Sequence, residues 1–174
     1  NEAFDHASKQ QMDFLWLSDH HNSITPAEYD GCVATANKHN KPGTFVTGCG
    51  YEKGIFKGAE HASAWVGHFN VLFPNKLYKL SHNSPGIFQD IAECAECLGQ
   101  FNHPPNPANF DGYEYRAAGK DKVRLMEFNG GPWVDKLPWF FKALDNGWTI
   151  SPAWNEDNHH KRWGDDPQGT LIWA

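Results

Sequence analysis

The sequence predicts an α/β fold in one domain that spans residues 1–174. Apolar, strand-like runs alternate along the chain with helical stretches, which is the pattern typical of a parallel sheet. The chain is 40% hydrophobic and 14% aromatic, enough to bury a single core. Polar clusters stand beside the apolar runs, and α/β folds place their sites at the carboxyl ends of such strands. We therefore expect a functional site at one edge of the sheet.

Helix and strand signals in the first half of the chain are local. Thr25 is a good N-cap, Pro26 stands at the first helical position, and Glu28 completes a capping box. The pair Pro42 and Gly43 ends the helix that follows this start. The elements predicted as far as residue 73 are the end of a helix over 1–12, strands over 13–17, 44–47 and 67–73, and a helix over 25–39.

The second half continues the alternation of strands and helices. Pro85 opens a helix that we expect to run through Cys97, with Gly99 as its stop, and Gly147 ends a later helix. No internal repeat or linker interrupts the series, which favours a single domain. The predicted elements are helices over 84–97 and 137–146, strands over 97–101, 122–126, 148–151 and 170–174, and a loop over 105–120.

Four cysteines are too few to indicate a disulfide scaffold, and they leave the cellular compartment open. Cys94 and Cys97 have a spacing that places both on one face of a helix. No second CxxC pair accompanies them, as a zinc knuckle requires. We therefore expect both cysteines on the helix face that packs into the protein core, and a redox pair is the alternative.

Five short clusters of His and acidic residues are the main functional signal. Several imidazole and carboxylate groups buried together are costly unless a cation compensates them. Imidazole nitrogens mixed with carboxylate oxygens suit Zn, Mn or Fe better than Ca or Mg. The clusters therefore predict a metal site. They are SDHH at 18–21, GYE at 50–52, GH at 67–68, NHP at 102–104 and EDNHH at 156–160.

Spacing supports the candidate ligands unequally. Asp157 and His159 are two positions apart and share one face of an extended segment. Glu52 follows a glycine-rich run that permits close backbone approach, and its carboxylate can bridge two metals. His103 precedes a proline, which favours an extended backbone, and it is predicted to be a ligand or a phosphate contact. His68, at the start of an apolar run, is a ligand or a plain strand-edge His.

The roles of four further residues stay open. Asp19 and His20 are adjacent on a strand and face opposite ways, so both bind a metal only if the strand turns there. His160 is expected to point away from the ligands, and either Asp19 or His160 is predicted to handle a proton. Glu127 either orients a ligating His or is structural.

Charge and motif content disfavour several classes of protein. A net charge of -6 gives no basic footprint for nucleic acid, and no apolar run approaches the roughly 20 residues of a membrane span. No GxSxG, GxxxxGK[ST] or GxGxxG motif is present, which weakens serine hydrolase, P-loop and dinucleotide-binding hypotheses. Without a signal peptide or a starting Met, we expect a mature form or a fragment of a soluble protein, either cytoplasmic or secreted with its signal removed.

In their order along the chain, the clusters resemble the motifs of a known family. SDHH after a strand, then GxE, GHFN, NHP, ExNG and a final DxH, are similar to those of the PHP (polymerase and histidinol phosphatase) superfamily of metal-dependent hydrolases. The tail SPAWNEDNHHKRWG at 151–164, with GTLIWA at 169–174, resembles the CehA/McbA-type branch. The resemblance covers residues 14–174 and is specific as an ordered set rather than in any single motif.

The resemblance implies a distorted (β/α) barrel, here incomplete at both ends, with two or three divalent metals that activate water. It implies a small-molecule phosphoester as substrate or, in the CehA/McbA-type branch, a carboxylic or carbamate ester; the oligomeric state stays open. Asp19 matches the acid that precedes the first-cluster His of the family. With the proton-handling argument above, the catalytic candidates are Asp19, Glu52 and His160. The implied metal ligands are His20, Glu52, His68, His103, Asp157 and His159.

One departure from the family leads to two other hypotheses. The family opens with an H-x-H pair on its first strand, which this chain lacks, and His6 lies in helical sequence and is a poor substitute. A second hypothesis is therefore a catalytically inactive domain that keeps a metal-binding or ligand-binding site. A third is an interaction module on an aromatic surface, suggested by the eight Trp residues.

Overall fold

A computed structural model describes residues 2–57, 64–105, 109–129, 131–166 and 169–172. A single mixed sheet of six strands forms a half-barrel, and the strands lie side by side in chain order. The strands are β1 (Phe14–His20), β2 (Val46–Phe56), β3 (Trp65–Leu72), β4 (Leu98–Phe101), β5 (Val123–Glu127) and β6 (Ser151–Ala153). The helices in these residues are α1 (Glu2–Lys9), α2 (Pro26–His39), α3 (Ser84–Ala92), α4 (Asn109–Tyr113) and α5 (Leu137–Asp145).

The prediction of a distorted (β/α) barrel is wrong. Strands β1 and β2 are parallel, as are β4, β5 and β6, but β3 runs antiparallel to both of its neighbours. Residues 57–64 join β2 to β3, and a parallel crossover needs about a dozen residues or more. The chain therefore turns back on itself at this point, and the sheet is a mixed half-barrel with few helices.

Helix α2 begins as the capping signal predicts. The backbone N–H of Glu28 donates to Thr25 Oγ1 at 3.3 Å, and the backbone N–H of Thr25 donates to the Glu28 carboxylate at 2.7 Å. The hydroxyl of Thr47 in β2 donates a hydrogen bond to the Ala36 carbonyl at 2.7 Å. This bond connects the C-terminal part of α2 to the sheet. This packing holds β2 in place for the site described below.

Three predicted elements end differently in the structure. Helix α3 stops at Ala92 rather than near residue 97, and the chain turns before β4 begins at Leu98. The predicted loop 105–120 contains α4, a turn whose five residues all have positive φ, between 43° and 74°. Residues 170–172 form no strand, and the rest of the strand predicted over 170–174 lies outside the described residues.

Two disulfides correct the predictions for the cysteines. Cys32 of α2 is bonded to Cys49 of β2, and Cys94 is bonded to Cys97 in the turn after α3. The prediction that a helix carries Cys94 and Cys97 is wrong because α3 ends before either of them, but both side chains are buried in the core as predicted. The bond from Cys32 attaches α2 covalently to the strand that carries Glu52.

The two disulfides are expected to differ in their effect on stability. The Cys32–Cys49 bond spans 17 residues and the Cys94–Cys97 bond spans 3. Loop-closure entropy then gives about 3 kcal/mol for the first bond and about 1.5 kcal/mol for the second. Urea unfolding of the paired serine variants C32S/C49S and C94S/C97S measures both losses. An equal loss in the two variants would contradict the expectation.

An aromatic cluster on one face of the sheet sets the register of the strands. Phe101 of β4 is fully buried, and its ring centroid lies 4.8–6.2 Å from those of five other aromatic rings. Successive side chains of a strand point to opposite faces, so burying Phe69 and Phe101 turns His68, Asn70, Gln100 and Asn102 to the other face. The core therefore positions these polar side chains.

Candidate metal centre

Neighbouring strands bring side chains from four of the predicted clusters together. His20 of β1 lies opposite Glu52 of β2, and Glu52 lies opposite Asn70 of β3. His68 shares the face of Asn70, since the two are two positions apart on β3. His103 lies two residues after the end of β4, which pairs with β3. Sheet pairing alone thus gathers residues that are far apart in the sequence.

Glu52, His68 and His103 form the centre of this group. Glu52 Oε1 lies 2.9 Å from His103 Nε2 and 3.2 Å from His68 Nδ1, and the two nitrogens are 3.2 Å apart. With bonds of about 2.0–2.1 Å to Zn²⁺, donor atoms in a tetrahedral shell stand about 3.3 Å apart. The observed triangle therefore needs only a few tenths of an ångström of adjustment, and the group can hold a metal ion.

The second oxygen of Glu52 faces another His. His20 Nε2 lies 3.0 Å from Glu52 Oε2, whereas the nitrogens of His68 and His103 lie near Oε1. The ring of His20 is 5.7 Å from that of His159 and 5.9 Å from that of His68. Only 6% of the Glu52 side chain is exposed, so these imidazoles are its main polar surroundings.

Glu127 holds His103 in one orientation. Glu127 Oε2 accepts from the His103 backbone N–H at 2.8 Å and lies 2.7 Å from His103 Nδ1. The carboxylate is completely buried at the end of β5. With the Nδ1 proton donated to Glu127, the lone pair of Nε2 can bind a metal, as in the carboxylate–histidine pairs of metal sites. This is the geometry expected of a carboxylate that orients a ligand.

Three amide side chains stand behind the carboxylates, and the sequence reasoning missed all three. Asn102 Nδ2 donates to Glu52 Oε1 at 2.9 Å, and Asn155 Nδ2 donates to Glu127 Oε1 at 2.9 Å. Gln100, inside the short strand β4, bonds to both asparagines. A polar residue in the middle of the apolar run 98–101 was the available signal for Gln100.

The electrostatics of the centre favour an ion pair in the metal-free protein. Burial opposes ionisation of Glu52, but hydrogen bonds from His103, His68 and Asn102 outweigh it and hold the pKa of Glu52 below its usual value. Burial likewise opposes the charge on His103, but hydrogen bonds to Glu127 and Glu52 outweigh it and raise the pKa of His103 to about 10. A cation held by this group would therefore take the place of a proton on His103.

Asp157, His159 and His160 lie at the rim of the group. Asp157 Oδ2 is 3.8 Å from His103 Nδ1, and His159 Nδ1 is 3.5 Å from Asp157 Oδ1. Asp157 has φ of 47°, so the extended segment on which its pairing with His159 was predicted is absent. The side chains of Asp157 and His159 are 39% and 59% exposed. His160 is exposed, in a turn where its backbone N–H donates to Asn158 at 2.8 Å.

Asp19 lies on the opposite face of the sheet from His20. Strand β1 continues through both residues without the turn that would have brought them together. Asp19 lines a cavity of about 290 Å³ with residues that include Glu28, Tyr29 and Cys32. This placement argues against the predicted part of Asp19 in proton handling. His6, the poor substitute for the missing H-x-H pair, has its Nε2 atom within hydrogen-bond distance of Asp165 Oδ1, at 2.8 Å.

Comparison with known proteins leaves the family of the chain open. A scan against protein-family models, a search of curated proteins and a search of solved structures each found no match. The resemblance to the PHP superfamily therefore stays a prediction from the sequence motifs. Among the described residues, no helix is both long enough and apolar enough to cross a membrane.

Proposed function

We propose that this chain is a metal-dependent hydrolase whose centre is built on Glu52, His68 and His103. The observation that carries the proposal is the triangle of donor atoms with sides of 2.9–3.2 Å, which matches the size of a divalent-metal shell. His20 adds a nitrogen on the second Glu52 oxygen. The mixed nitrogen and oxygen donors favour Zn, Mn or Fe.

Glu52 is suited to serve two cations. Its Oε1 faces His68 and His103, and its Oε2 faces His20. The ring of His159 lies 5.7 Å from that of His20. When bound, divalent cations lower the pKa of a coordinated water and stabilise negative charge on the scissile group. We propose a phosphoester as the substrate, in line with the motif resemblance.

Other side chains orient the metal ligands or line the opening of the site. Glu127 keeps the Nε2 atom of His103 directed at Glu52. The ring of Trp65 packs edge-on against His68 at 4.9 Å and limits its rotation. Asp157 and His159 are half-exposed at the rim, where they can contact a substrate and exchange a proton with solvent. A buried centre with a polar, open rim is suited to small soluble substrates.

Metal content and hydrolysis together test the proposal. We expect the purified protein to carry Zn, Mn or Fe by mass spectrometry and to hydrolyse p-nitrophenyl phosphate with a rate that falls after treatment with a chelator. Hydrolysis of p-nitrophenyl acetate alone would assign the ester alternative. A folded protein that binds none of the three metals would contradict the proposal.

Metal binding is expected to release a proton from His103. The pKa of His103 in the metal-free protein is about 10, above its usual 6.5, so at pH 8 the ring carries a proton that the metal must displace. Apparent affinity should therefore rise by up to about tenfold per pH unit between pH 6.5 and 8.5. Calorimetry in two buffers with different ionisation heats measures the proton count. Affinity independent of pH over this range would contradict the expectation.

A non-catalytic metal-binding domain is the second candidate. The observation that favours it is that His103, held between Glu52 and Glu127, already compensates both buried carboxylates in the metal-free protein. A protein that binds stoichiometric metal tightly and turns over neither the phosphate nor the acetate substrate would favour this function.

A further inference from the structure

We propose that Gln100 is a positioning residue that sets the metal affinity of the centre through Asn102 and Asn155. The inference rests on the proposed metal centre and deepens it. Gln100 contacts neither Glu52 nor His103 in the hydrogen bonds that define the group. Its influence is exerted through the two asparagines that bond directly to the buried carboxylates.

The two hydrogens of one amide group fix both asparagines. Gln100 Nε2 donates to Asn102 Oδ1 at 2.9 Å and to Asn155 Oδ1 at 3.0 Å. Each asparagine then has its Nδ2 directed at a carboxylate, Asn102 toward Glu52 and Asn155 toward Glu127. One side chain thus connects the metal-binding carboxylate to the carboxylate that orients His103.

The direction of every bond in this network follows from Gln100. An asparagine that turned its amide over would present a carbonyl oxygen to a carboxylate and an NH₂ group to the NH₂ of Gln100. Both contacts are repulsive, and at Asn102 water cannot relieve them, because Gln100 and Asn102 are only 3% and 1% exposed. Gln100 therefore keeps two donors fixed on Glu52 and Glu127, and this lowers the cost of holding two buried negative charges near each other.

The position of Gln100 in the sheet shows why it can do this. Gln100 lies opposite Asn70 of β3 and Leu125 of β5, between the strand next to Glu52 and the strand that ends in Glu127. A glutamine at this point reaches Asn102 on its own chain segment and Asn155 just beyond β6. The network therefore links the antiparallel and parallel parts of the mixed sheet.

Two variants of Gln100 and one control test the inference with Co²⁺ and Zn²⁺ as probes. Gln100→Glu keeps the shape but replaces the donating NH₂ with an acceptor, and Gln100→Met removes the donors without adding a charge. Asn146→Asp is the matched control, because Asn146 Nδ2 also donates to two carbonyls, those of Gly112 and Tyr113, at 2.9 Å each. Asn146 is the residue that ends α5, and it is outside the hydrogen bonds that join Gln100 to Asn102 and Asn155.

We expect both Gln100 variants to bind Zn²⁺ about 10–100-fold more weakly than the wild type and to show an altered visible spectrum with Co²⁺. Asn146→Asp should match the wild type in both measurements. The losses from Gln100→Met and Asn102→Leu should add only in part in the double variant, since Gln100 acts partly through Asn102 and partly through Asn155.

Other results would overturn the inference in distinguishable ways. Wild-type affinity and an unchanged Co²⁺ spectrum in both folded Gln100 variants would overturn the positioning role and leave the metal centre intact. Gln100 variants that fail to fold while Asn146→Asp folds would show that the amide is structural, and so would an equal loss of affinity in the control. A wild-type protein that binds neither ion would overturn the metal centre itself.

Discussion

Glu52→Gln is expected to weaken metal binding at least about 100-fold, which corresponds to roughly 2.7 kcal/mol of binding free energy. Glu52 is the residue on which the donors converge: one oxygen lies 2.9 Å from His103 and the other 3.0 Å from His20. The amide keeps the shape of the side chain but removes its charge and replaces one acceptor oxygen with a donor. Competition with a chromophoric chelator measures the loss, and circular dichroism verifies the fold.

Asp19→Asn is the control for this prediction. Asp19 is close to Glu52 in the sheet, since it pairs with Tyr51, but its side chain lies on the opposite face. Like Glu52→Gln, this substitution replaces a carboxylate with an amide, and it does so on the strand next to that of Glu52. Wild-type affinity in Asp19→Asn with a large loss in Glu52→Gln would place the cation on the face of Glu52. Equal losses in the two variants would contradict that placement.

Phe101→Ala is expected to cost about 3–5 kcal/mol of unfolding free energy, a large share of the roughly 5–15 kcal/mol that stabilises an ordinary domain. Phe101 is fully buried and touches rings on β3, α3 and α4 and the ring of Trp148. Truncation leaves a cavity beneath β4, whose other face carries Gln100 and leads to His103. Urea unfolding measures the loss directly.

Phe141→Ala is the matched control for the core. Phe141 lies on α5 with 53% of its surface exposed, so the same truncation should cost well under about 1 kcal/mol. A loss in Phe101→Ala no larger than that in Phe141→Ala would contradict the central place of Phe101 in the core. Phe101→Leu should recover much of the loss, because it refills most of the cavity.

Some local signals in the sequence predicted the local structure correctly, but the proline after His103 did not give that residue the expected extended backbone, since its φ is 45°. The start of α2 depends on three neighbouring residues, Thr25, Pro26 and Glu28, and the structure has the capping box they predict. The meeting of Glu52, His68 and His103 was also predictable, because Glu52 and His103 follow apolar runs and His68 begins one. Such features require only residue type and spacing.

Features that depend on distant parts of the chain were not predictable in the same way. The direction of β3 is set by a connection too short for a parallel crossover, and the strand pattern itself is the same for either direction. Cys32 is bonded to Cys49, which is 17 residues away in the sequence. Gln100 donates a hydrogen bond to Asn155, which is 55 residues away. The positive φ of Asp157 had no sequence signal that we recognise, and it removed the expected pairing with His159.

A map of bound metal is the most direct test of the metal centre. Crystals grown with Zn²⁺ or Mn²⁺ and measured at the absorption edge of the metal would show anomalous peaks at the cation positions. We predict a peak about 2.0–2.3 Å from a carboxylate oxygen of Glu52 and from nitrogens of His68 and His103. A protein saturated with metal that shows no peak at these residues, or shows its peak elsewhere, would contradict the proposed centre.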